Sequence, residues 1–149
     1  MLTKEIKDSI ESSVLCWLAT SSKDNIPNVS PKEVFSHYLD NFIIVANIAS
    51  PQTIKNIKEN ENTAISFIDI FIQKGFQLKG KAIIVKKGDA EFRDVEQVLL
   101  KITEGKFPFS SVIKIHIKKI KPIIAPKYLI YPETTEEQQI KSAKKTYGL

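Results

Sequence analysis

Residues 27–32 (PNVSPK) and 50–56 (SPQTIKN) decide how this chain folds. The first stretch carries Pro27 and Pro31, which confine it to a sheet edge or to an irregular stretch because proline has no N–H to donate to a second neighbouring strand. The second stretch opens with Ser50 and Pro51, residue types that commonly start a helix. Each stretch follows an apolar run typical of a strand, so we expect a sheet edge and a helix N-terminus to lie side by side.

The predicted helix start is a potential anion site. The amides of Gln52 and Thr53 have no partner inside the helix, and the helix dipole favours a phosphate at this end. The Thr53 hydroxyl is a further donor, and Lys32 or Lys55 can supply a counter-charge. The simpler interpretation is a surface helix that begins with Ser-Pro and binds nothing, since helix caps are common and bound phosphates are not.

Length and composition indicate one compact domain. The chain has 149 residues, which is enough to bury a substantial core but short for a second one. It is 42% hydrophobic and 26% charged, as in ordinary globular proteins. The formal charge of +5 comes from lysines spread along the whole chain. Such a surface steers anionic ligands toward the protein, but it is not a dedicated nucleic-acid tail.

Cysteine usage and hydropathy exclude several classes of protein. Cys16 is the single cysteine, so an intrachain disulfide and a metal site of several thiolates are both excluded, and we predict no metal. No apolar run approaches the roughly 18 residues that a membrane-spanning helix needs. The charged N-terminus is typical of a helix and not of a signal peptide. These features predict a cytoplasmic protein without a membrane segment.

Hydrophobic periodicity predicts a mainly β protein. Leu2, Ile6, Ile10 and Val14 recur at the spacing of an amphipathic helix. Strands are predicted at 14–20, 26–39, 42–47, 63–69, 74–85 and 111–120, and further helices at 51–60 and 92–102. Short strands at close spacing favour an antiparallel β-barrel with flanking helices over a parallel α/β sheet.

Two further predictions concern particular elements. Gly80 is expected to mark a bulge or a close approach of the backbone to a ligand, and Trp17 is expected in the core or in a dimer interface. In the C-terminal region, residues 123–132 are predicted to be extended, and a capping box at 134–137 is predicted to start a closing helix.

Several of these motifs, taken in order, match a known family. Residues 16–20, 27–32, 50–56 and 75–82 resemble the pyridoxamine 5′-phosphate oxidase-like superfamily of FMN-binding split β-barrels. The resemblance continues into residues 131–140 and 147–148, which are similar to one subgroup of that superfamily. It implies a single split-barrel domain over residues 1–149, with a C-terminal extension of about 121–149 that packs on the barrel or on a partner.

The resemblance also implies a homodimer that binds two FMN molecules in clefts at its interface. Carried over by position, the implied cofactor-binding residues are Val29, Ser30, Pro31 and Lys32 beside the isoalloxazine and ribityl groups, Ala46 and Asn47 near the ring, and Ser50, Gln52 and Thr53 at the phosphate with Asn56 in support. Gln52 stands where many relatives carry lysine or arginine, so one expected positive charge is absent.

The function implied by the resemblance is that of an FMN-binding oxidoreductase with a small-molecule electron donor and acceptor. In such proteins the flavin performs the electron chemistry and the polypeptide orients it, so no catalytic residue is assigned. Arg93 is the only arginine, which argues against oxidation of pyridoxamine phosphate itself. The two histidines, His37 and His116, give little support to a haem-degrading variant.

Two alternatives remain open from the sequence. The first keeps the fold but replaces FMN with the deazaflavin F420, whose longer anionic tail would use the lysine-rich surface. The second is a non-enzymatic basic barrel that binds nucleic acid through Lys79, Lys81, Lys114 and Lys118. Nucleic-acid binding is the less favoured alternative, because such barrels also expose aromatic side chains for base stacking.

Overall fold

The computed structural model describes all residues from Met1 to Leu149. One antiparallel sheet of 7 strands curls into a split β-barrel with flanking helices, which confirms the predicted mainly β fold. The strands are β1 (Cys16–Ser21), β2 (Pro27–Lys32), β3 (Phe35–Tyr38), β4 (Phe42–Ala46), β5 (Asn62–Asp69), β6 (Lys74–Lys86) and β7 (Ser111–Ile124). Their order across the sheet is β2-β1-β5-β6-β7-β4-β3, so β2 and β3 are the two edge strands.

Strand β2 lies at the edge, as its prolines predict. It pairs with β1 alone, and Pro27 and Pro31 are exposed. Strand β1 alternates between buried and accessible side chains, with Cys16, Leu18 and Thr20 inside the barrel. Trp17 falls on the opposite face and is 47% exposed, so the prediction that it could belong to the core is wrong.

The helices close the barrel and cover part of the sheet. They are α1 (Lys4–Ser12), α2 (Pro51–Glu59), α3 (Phe92–Thr103), α4 (Pro126–Ile130) and α5 (Glu136–Tyr147). Helix α1 inserts Ile6 and Ile10 into the main core, and Leu2, just before the helix, joins them there. A second, smaller core lies under α3, where Val95 and Leu99 are fully buried. Val14 does not continue the α1 stripe as predicted, because the helix ends at Ser12 and leaves Val14 79% exposed.

The C-terminal region differs from its prediction. Strand β7 continues to Ile124, and the chain then forms α4 in place of the predicted extended stretch, with Pro126 at the first position of the helix. The predicted capping box exists, but it joins Thr135 and Gln138 through reciprocal hydrogen bonds of 3.1 and 3.0 Å. None of the five helices is both long enough and apolar enough to cross a membrane.

Gly80 marks a bulge, as the sequence predicts. The register between β6 and β7 shifts between Lys79 and Gly80. A Cβ atom at Gly80 would overlap the backbone carbonyl of His116, so the close approach is to strand β7.

Gly80→Ala should therefore destabilise the protein, because the overlap involves backbone atoms that cannot move without distorting the sheet. We expect a loss of about 1–3 kcal/mol in the free energy of unfolding, measured by urea denaturation. The control is Lys79→Ala, which removes an exposed side chain from the same bulge. Equal midpoints for the two variants would contradict this explanation.

Candidate functional site

The pairing of β1 with β2 places a polar strand face beside the start of α2. Ser30 lies opposite Leu18 and Lys32 opposite Cys16, so both side chains point toward the inner side of the sheet. Asn28, Ser30 and Lys32 are each partly buried, whereas the intervening residues are exposed. Lys32 reaches α2, where its Nζ donates a hydrogen bond to the Ser50 hydroxyl.

Helix α2 begins without the usual side-chain cap. Ser50 occupies the N-cap position, as predicted, but its hydroxyl does not bond to the first turn. It donates instead to the carbonyl of Ile48 at 3.1 Å and accepts from Lys32. The N–H groups of Gln52 and Thr53 thus remain free at the positive end of the helix.

Buried amide groups fix α2 against the barrel. Asn56 is 1% exposed, and its Nδ2 donates to the Thr20 hydroxyl at 3.0 Å. Its Oδ1 accepts from Nε2 of Gln52 at 2.8 Å. Both ends of the Asn56 amide are therefore occupied within the protein, so this residue holds the helix in place. Thr53, in the first turn of the same helix, is also buried.

Two predicted site residues carry polar atoms without a partner. The Ser30 hydroxyl and the Asn47 Oδ1 are shielded from solvent and make no hydrogen bond within the protein. The other end of the Asn47 amide donates to the Ser111 hydroxyl at 2.9 Å, which fixes the orientation of the group. Because an unsatisfied buried polar atom costs about 1–3 kcal/mol, a ligand that pairs with these atoms gains affinity from them.

Lys32 is a desolvated cation without a carboxylate partner. Burial lowers its pKa below the ordinary value of 10.5, and the neighbouring Cys16 offsets part of this effect. Burial also raises the pKa of the Cys16 thiol to about 12, so the thiol stays neutral and offers no counter-charge at neutral pH. No ion pair of the protein includes Lys32. An anion at the α2 N-terminus would complete this arrangement.

A cleft of about 280 Å³ extends from Lys32 along the end of β4. Pro31, Ala46 and Ile48 form its apolar walls, and Phe107 from the loop before β7 closes one side. Phe107 is 54% exposed and is not among the predicted site residues. Its position in a polar loop is the sequence signal that would have found it, since a large aromatic there has little core to enter.

Of the predicted site residues, only Pro31, Lys32 and Ala46 line this cleft. Ser30, Asn47 and the start of α2 are outside its lining, and Lys32 connects the cleft to α2 through Ser50. Val29 points to the outer face of the sheet and is 60% exposed. Lys55 is exposed and makes no ion pair, whereas Lys32 bonds directly to Ser50. The sequence offers Lys32 and Lys55 as possible counter-charges for an anion at the start of α2. Of the two, Lys32 is the one whose ammonium contacts the N-cap residue of that helix.

A larger apolar cavity lies elsewhere, on the outer side of β1. It has a volume of about 430 Å³ and is lined by Trp17, Phe67, Ile70 and Phe71 among others. The free amides of α2, Lys32 and Ser30 are not part of its lining. We call it the Trp17 cavity, and its mainly apolar lining distinguishes it from the polar start of α2.

The curled antiparallel sheet with its flanking helices places the protein in the class of split β-barrels. The chain belongs to the pyridoxamine 5′-phosphate oxidase family, whose sequence model matches residues 2–124. The match ends at the last residue of β7, so α4 and α5 lie outside it.

Known relatives agree with this membership. An uncharacterized protein of Methanocaldococcus jannaschii is 29% identical over 144 residues, which span 95% of this chain and 82% of the relative. The crystal structure of HupZ from Group A Streptococcus has a TM-score of 0.68 at 28% identity, covering 80% of this chain and 92% of the HupZ chain.

More distant structures share the fold alone. An FMN-binding protein from Syntrophomonas wolfei superimposes with a TM-score of 0.67 at 21% identity, over 81% of this chain and 85% of that protein. An F420 reductase superimposes with a TM-score of 0.60 at 18% identity, over 80% of this chain and 98% of that protein.

Asn56→Ala should lower the free energy of unfolding by about 1–3 kcal/mol, because it leaves the buried Thr20 hydroxyl without its donor. Urea denaturation measures the loss. Lys55→Ala, an exposed change in the same helix turn, is the control and should fall within about 0.5 kcal/mol of the wild type. A loss as small for Asn56→Ala as for the control would show that α2 is not held by this amide.

Proposed function

We propose that the protein binds FMN, with the phosphate at the N-terminus of α2, and that it acts as a flavin-dependent oxidoreductase. One observation carries the proposal: the free amides of Gln52 and Thr53 lie beside Lys32, a desolvated cation without a counter-ion. The Ser30 hydroxyl, which is buried and unpaired, is a further donor on the same strand face. These groups match a phosphate in both charge and hydrogen-bonding capacity.

The remaining parts of the cofactor can be matched to residues that line the cleft and to Asn47 beside it. The apolar walls formed by Pro31 and Ala46 suit a flat ring system. The unpaired Oδ1 of Asn47, directly after Ala46, can accept a hydrogen bond from a ring N–H. Phe107 would cover an exposed side of the ring. Gln52 would contribute only its backbone N–H to phosphate binding, since its side chain is hydrogen-bonded to Asn56.

The cleft supports the homodimer as part of the same proposal. Its volume of about 280 Å³ is below the range of about 300–1,000 Å³ that ligand pockets usually have. At Pro31 the cleft meets the outer face of the sheet, where Trp17 and Val29 are exposed and no helix covers them. A second subunit on this face would supply the missing wall of each cleft.

When bound, FMN would supply the transfer of electrons between a small-molecule donor and an acceptor. The contribution of the chain is to bind the phosphate with α2 and Lys32 and to orient the ring against β2 and β4. Arg93 lies on α3, beside a separate hollow between residues 87 and 96, and not at the cleft. The cleft therefore has no arginine with which to hold the phosphate of a vitamin B6 substrate, and we do not propose that activity.

The structure weakens the nucleic-acid alternative and gives no support to the haem-degrading variant. Lys114, predicted to belong to a nucleic-acid surface, is 9% exposed and pairs with Glu91 at 2.8 Å. Lys81 pairs with Glu61 at 2.5 Å, so two of the four lysines on that surface are already neutralised. For haem, neither histidine lines the cleft: His37 contacts Glu11 at 3.2 Å, and His116 stacks on Phe42.

The test is a titration of the purified protein with FMN, riboflavin and F420, followed by flavin fluorescence and visible absorption. We expect stoichiometric FMN binding, and weaker binding of riboflavin because it lacks the phosphate. Equal affinity for FMN and riboflavin would contradict the phosphate assignment. Preference for F420 would move the proposal to the deazaflavin alternative, and binding of neither cofactor would refute it. A positive result leads to a screen of NADH, NADPH and candidate acceptors for turnover.

Ser30→Ala should weaken FMN binding by about 1–2 kcal/mol, through loss of a hydrogen bond to a charged group. Because the hydroxyl has no partner within the protein, the stability of the free protein should not fall. Ser36→Ala is a matched control, since Ser36 bonds only to a backbone carbonyl in the other edge strand. If Ser30→Ala leaves FMN affinity unchanged, Ser30 does not contact the cofactor.

FMN affinity should fall as the pH rises from about 7 to 10, where the phosphate is already a dianion. Burial lowers the pKa of Lys32 in the free protein, and a bound phosphate would raise it again. At a pH between the pKa of Lys32 in the free protein and its pKa in the complex, Lys32 is protonated in the complex but largely deprotonated in the free protein. Binding therefore takes up a proton, and the affinity falls as the pH rises. Lys32→Gln removes the titrating group, and its affinity should be weaker but less dependent on pH. Identical slopes for the two proteins would exclude Lys32 as the phosphate partner.

A further inference from the structure

Lys32 stands between two parts of the candidate site that differ in chemistry. On one side, its ammonium donates a hydrogen bond to Ser50, the N-cap residue of α2, where the first N–H groups of the helix are free. On the other side, Lys32 lines the cleft of about 280 Å³, whose apolar walls include Pro31 and Ala46. A small molecule with an anionic end at α2 and a short apolar end in the cleft would therefore have the Lys32 nitrogen beside its middle.

The anionic end of this arrangement does not depend on the helix N-terminus alone. Thr53, in the first turn of α2, is 2% exposed. Its neighbours Gln52 and Asn56 bond to each other and to Thr20, and the Thr53 hydroxyl takes part in neither bond. The same turn thus holds a buried, unpaired hydroxyl together with free N–H groups, and this combination favours an anion such as a phosphate.

The Lys32 amine has the properties of a nucleophile. No carboxylate holds it in the charged form, because Lys32 belongs to none of the ion pairs of the protein. Burial lowers its pKa below 10.5, so the uncharged amine is more populated than on an exposed lysine. A bound dianion works against this effect. The selectivity for Lys32 therefore comes mainly from holding a reagent beside the nitrogen.

We propose that Lys32 is a site of acylation by small acyl phosphates, which are mixed anhydrides of a carboxylic acid and phosphate. The phosphate binds at the start of α2, and the acyl group enters the cleft. The uncharged nitrogen of Lys32 attacks the acyl carbon, the bond from that carbon to the phosphate oxygen breaks, and inorganic phosphate leaves with the bonding electrons. The nitrogen then loses a proton to water and becomes a neutral amide, so the reaction needs no oxidant or reductant.

An acyl phosphate suits the site better than a phosphate ester of an alcohol. Its electrophilic carbon is bonded directly to the phosphate oxygen, so a phosphate at the start of α2 keeps that carbon near Lys32. The same oxygen gains negative charge as its bond to carbon breaks. The free N–H groups of α2 and the Thr53 hydroxyl can stabilise this charge. The small volume of the cleft favours a short acyl group such as acetyl.

Acylation would regulate the candidate cofactor site. It removes the positive charge of Lys32, so the modified protein should bind FMN as weakly as Lys32→Gln, and bound FMN should protect Lys32 from the reagent. This consequence rests on the proposed function, whereas the acylation itself needs only the anion site and the amine.

The test uses the purified full chain without cofactor, acetyl phosphate as the reagent, and peptide mass spectrometry to measure acetylation at each lysine. We expect Lys32 to react at least about tenfold faster than Lys55, an exposed lysine of α2, and inorganic phosphate to slow the reaction of Lys32. The matched reagent is the N-hydroxysuccinimide ester of acetic acid, which carries no phosphate and should favour Lys55. Thr53→Val removes the buried hydroxyl and should lower the preference for Lys32 with acetyl phosphate only.

Equal rates at Lys32 and Lys55 with acetyl phosphate, or a rate at Lys32 that inorganic phosphate does not change, would overturn the proposal. The phosphate competition uses the unaltered protein, so it decides the question even if Thr53→Val does not fold. FMN titration of the same preparations separates the two ideas. Selective acetylation without FMN binding would refute the proposed function and leave the acylation site standing. FMN binding by a protein whose Lys32 reacts no faster than Lys55 would refute the acylation site and leave the proposed function standing.

Discussion

The register between β1 and β2 is the constraint on which the rest of the structure depends. Because strand side chains alternate, pairing Leu18 with Ser30 puts the polar side chains of β2 on the inner side and its prolines outside. A slip of one residue would turn Lys32 away from α2 and bring Pro31 inside. The exposed prolines help to hold this register, since neither can donate to a further strand and both belong at the edge. The helix site exists only in this one alignment.

In the free protein, several charged and polar groups of the candidate site have no ionic or hydrogen-bonding partner. Lys32 is partly removed from water, and the Ser30 hydroxyl and the Asn47 oxygen have no partner. Each of these features costs some stability, and the partial burial of the Lys32 ammonium disfavours its charged form. The rest of the fold offsets the cost: α2 is fixed by the buried Asn56 amide, and it packs on β1 and β6. A ligand that pairs with these groups binds tightly because the protein has already desolvated and oriented them.

The parts of the fold that sequence predicts best are those fixed by local chemistry. Pro27 and Pro31 identify an edge strand, Ser50 and Pro51 start α2, and Gly80 marks a bulge, all through properties of single residues. The predictions that failed depend on tertiary context. Trp17 belongs to an apolar run that predicts a fully buried strand, yet only alternate residues enter the barrel because no helix covers the outer face of β1.

In the candidate site, too, the features fixed by single residues can be predicted from the sequence, and those that depend on tertiary contacts cannot. The position of Ser50 follows from sequence, but the diversion of its hydroxyl to Lys32 and Ile48 depends on how β2 meets α2 in space. Phe107 stands out in the sequence as a large aromatic in a polar loop, but its loop is far from β2 and β4 in the chain, so the sequence does not show which cleft it joins. Helix α4 is a partial exception. Pro126 is a helix-start signal like Pro51, but a helix of five residues is too short for hydrophobic periodicity to identify.

The burial of Cys16 has a chemical consequence of its own. The thiol lies one strand away from the cleft, is fully enclosed between β2 and β5, and has a pKa of about 12. Oxidation to sulfenic acid and beyond proceeds from an accessible thiolate, and Cys16 is neither accessible nor ionised. The fold thus keeps its one thiol chemically inert beside the candidate cleft, so an oxidant in that cleft would meet no thiolate within the barrel.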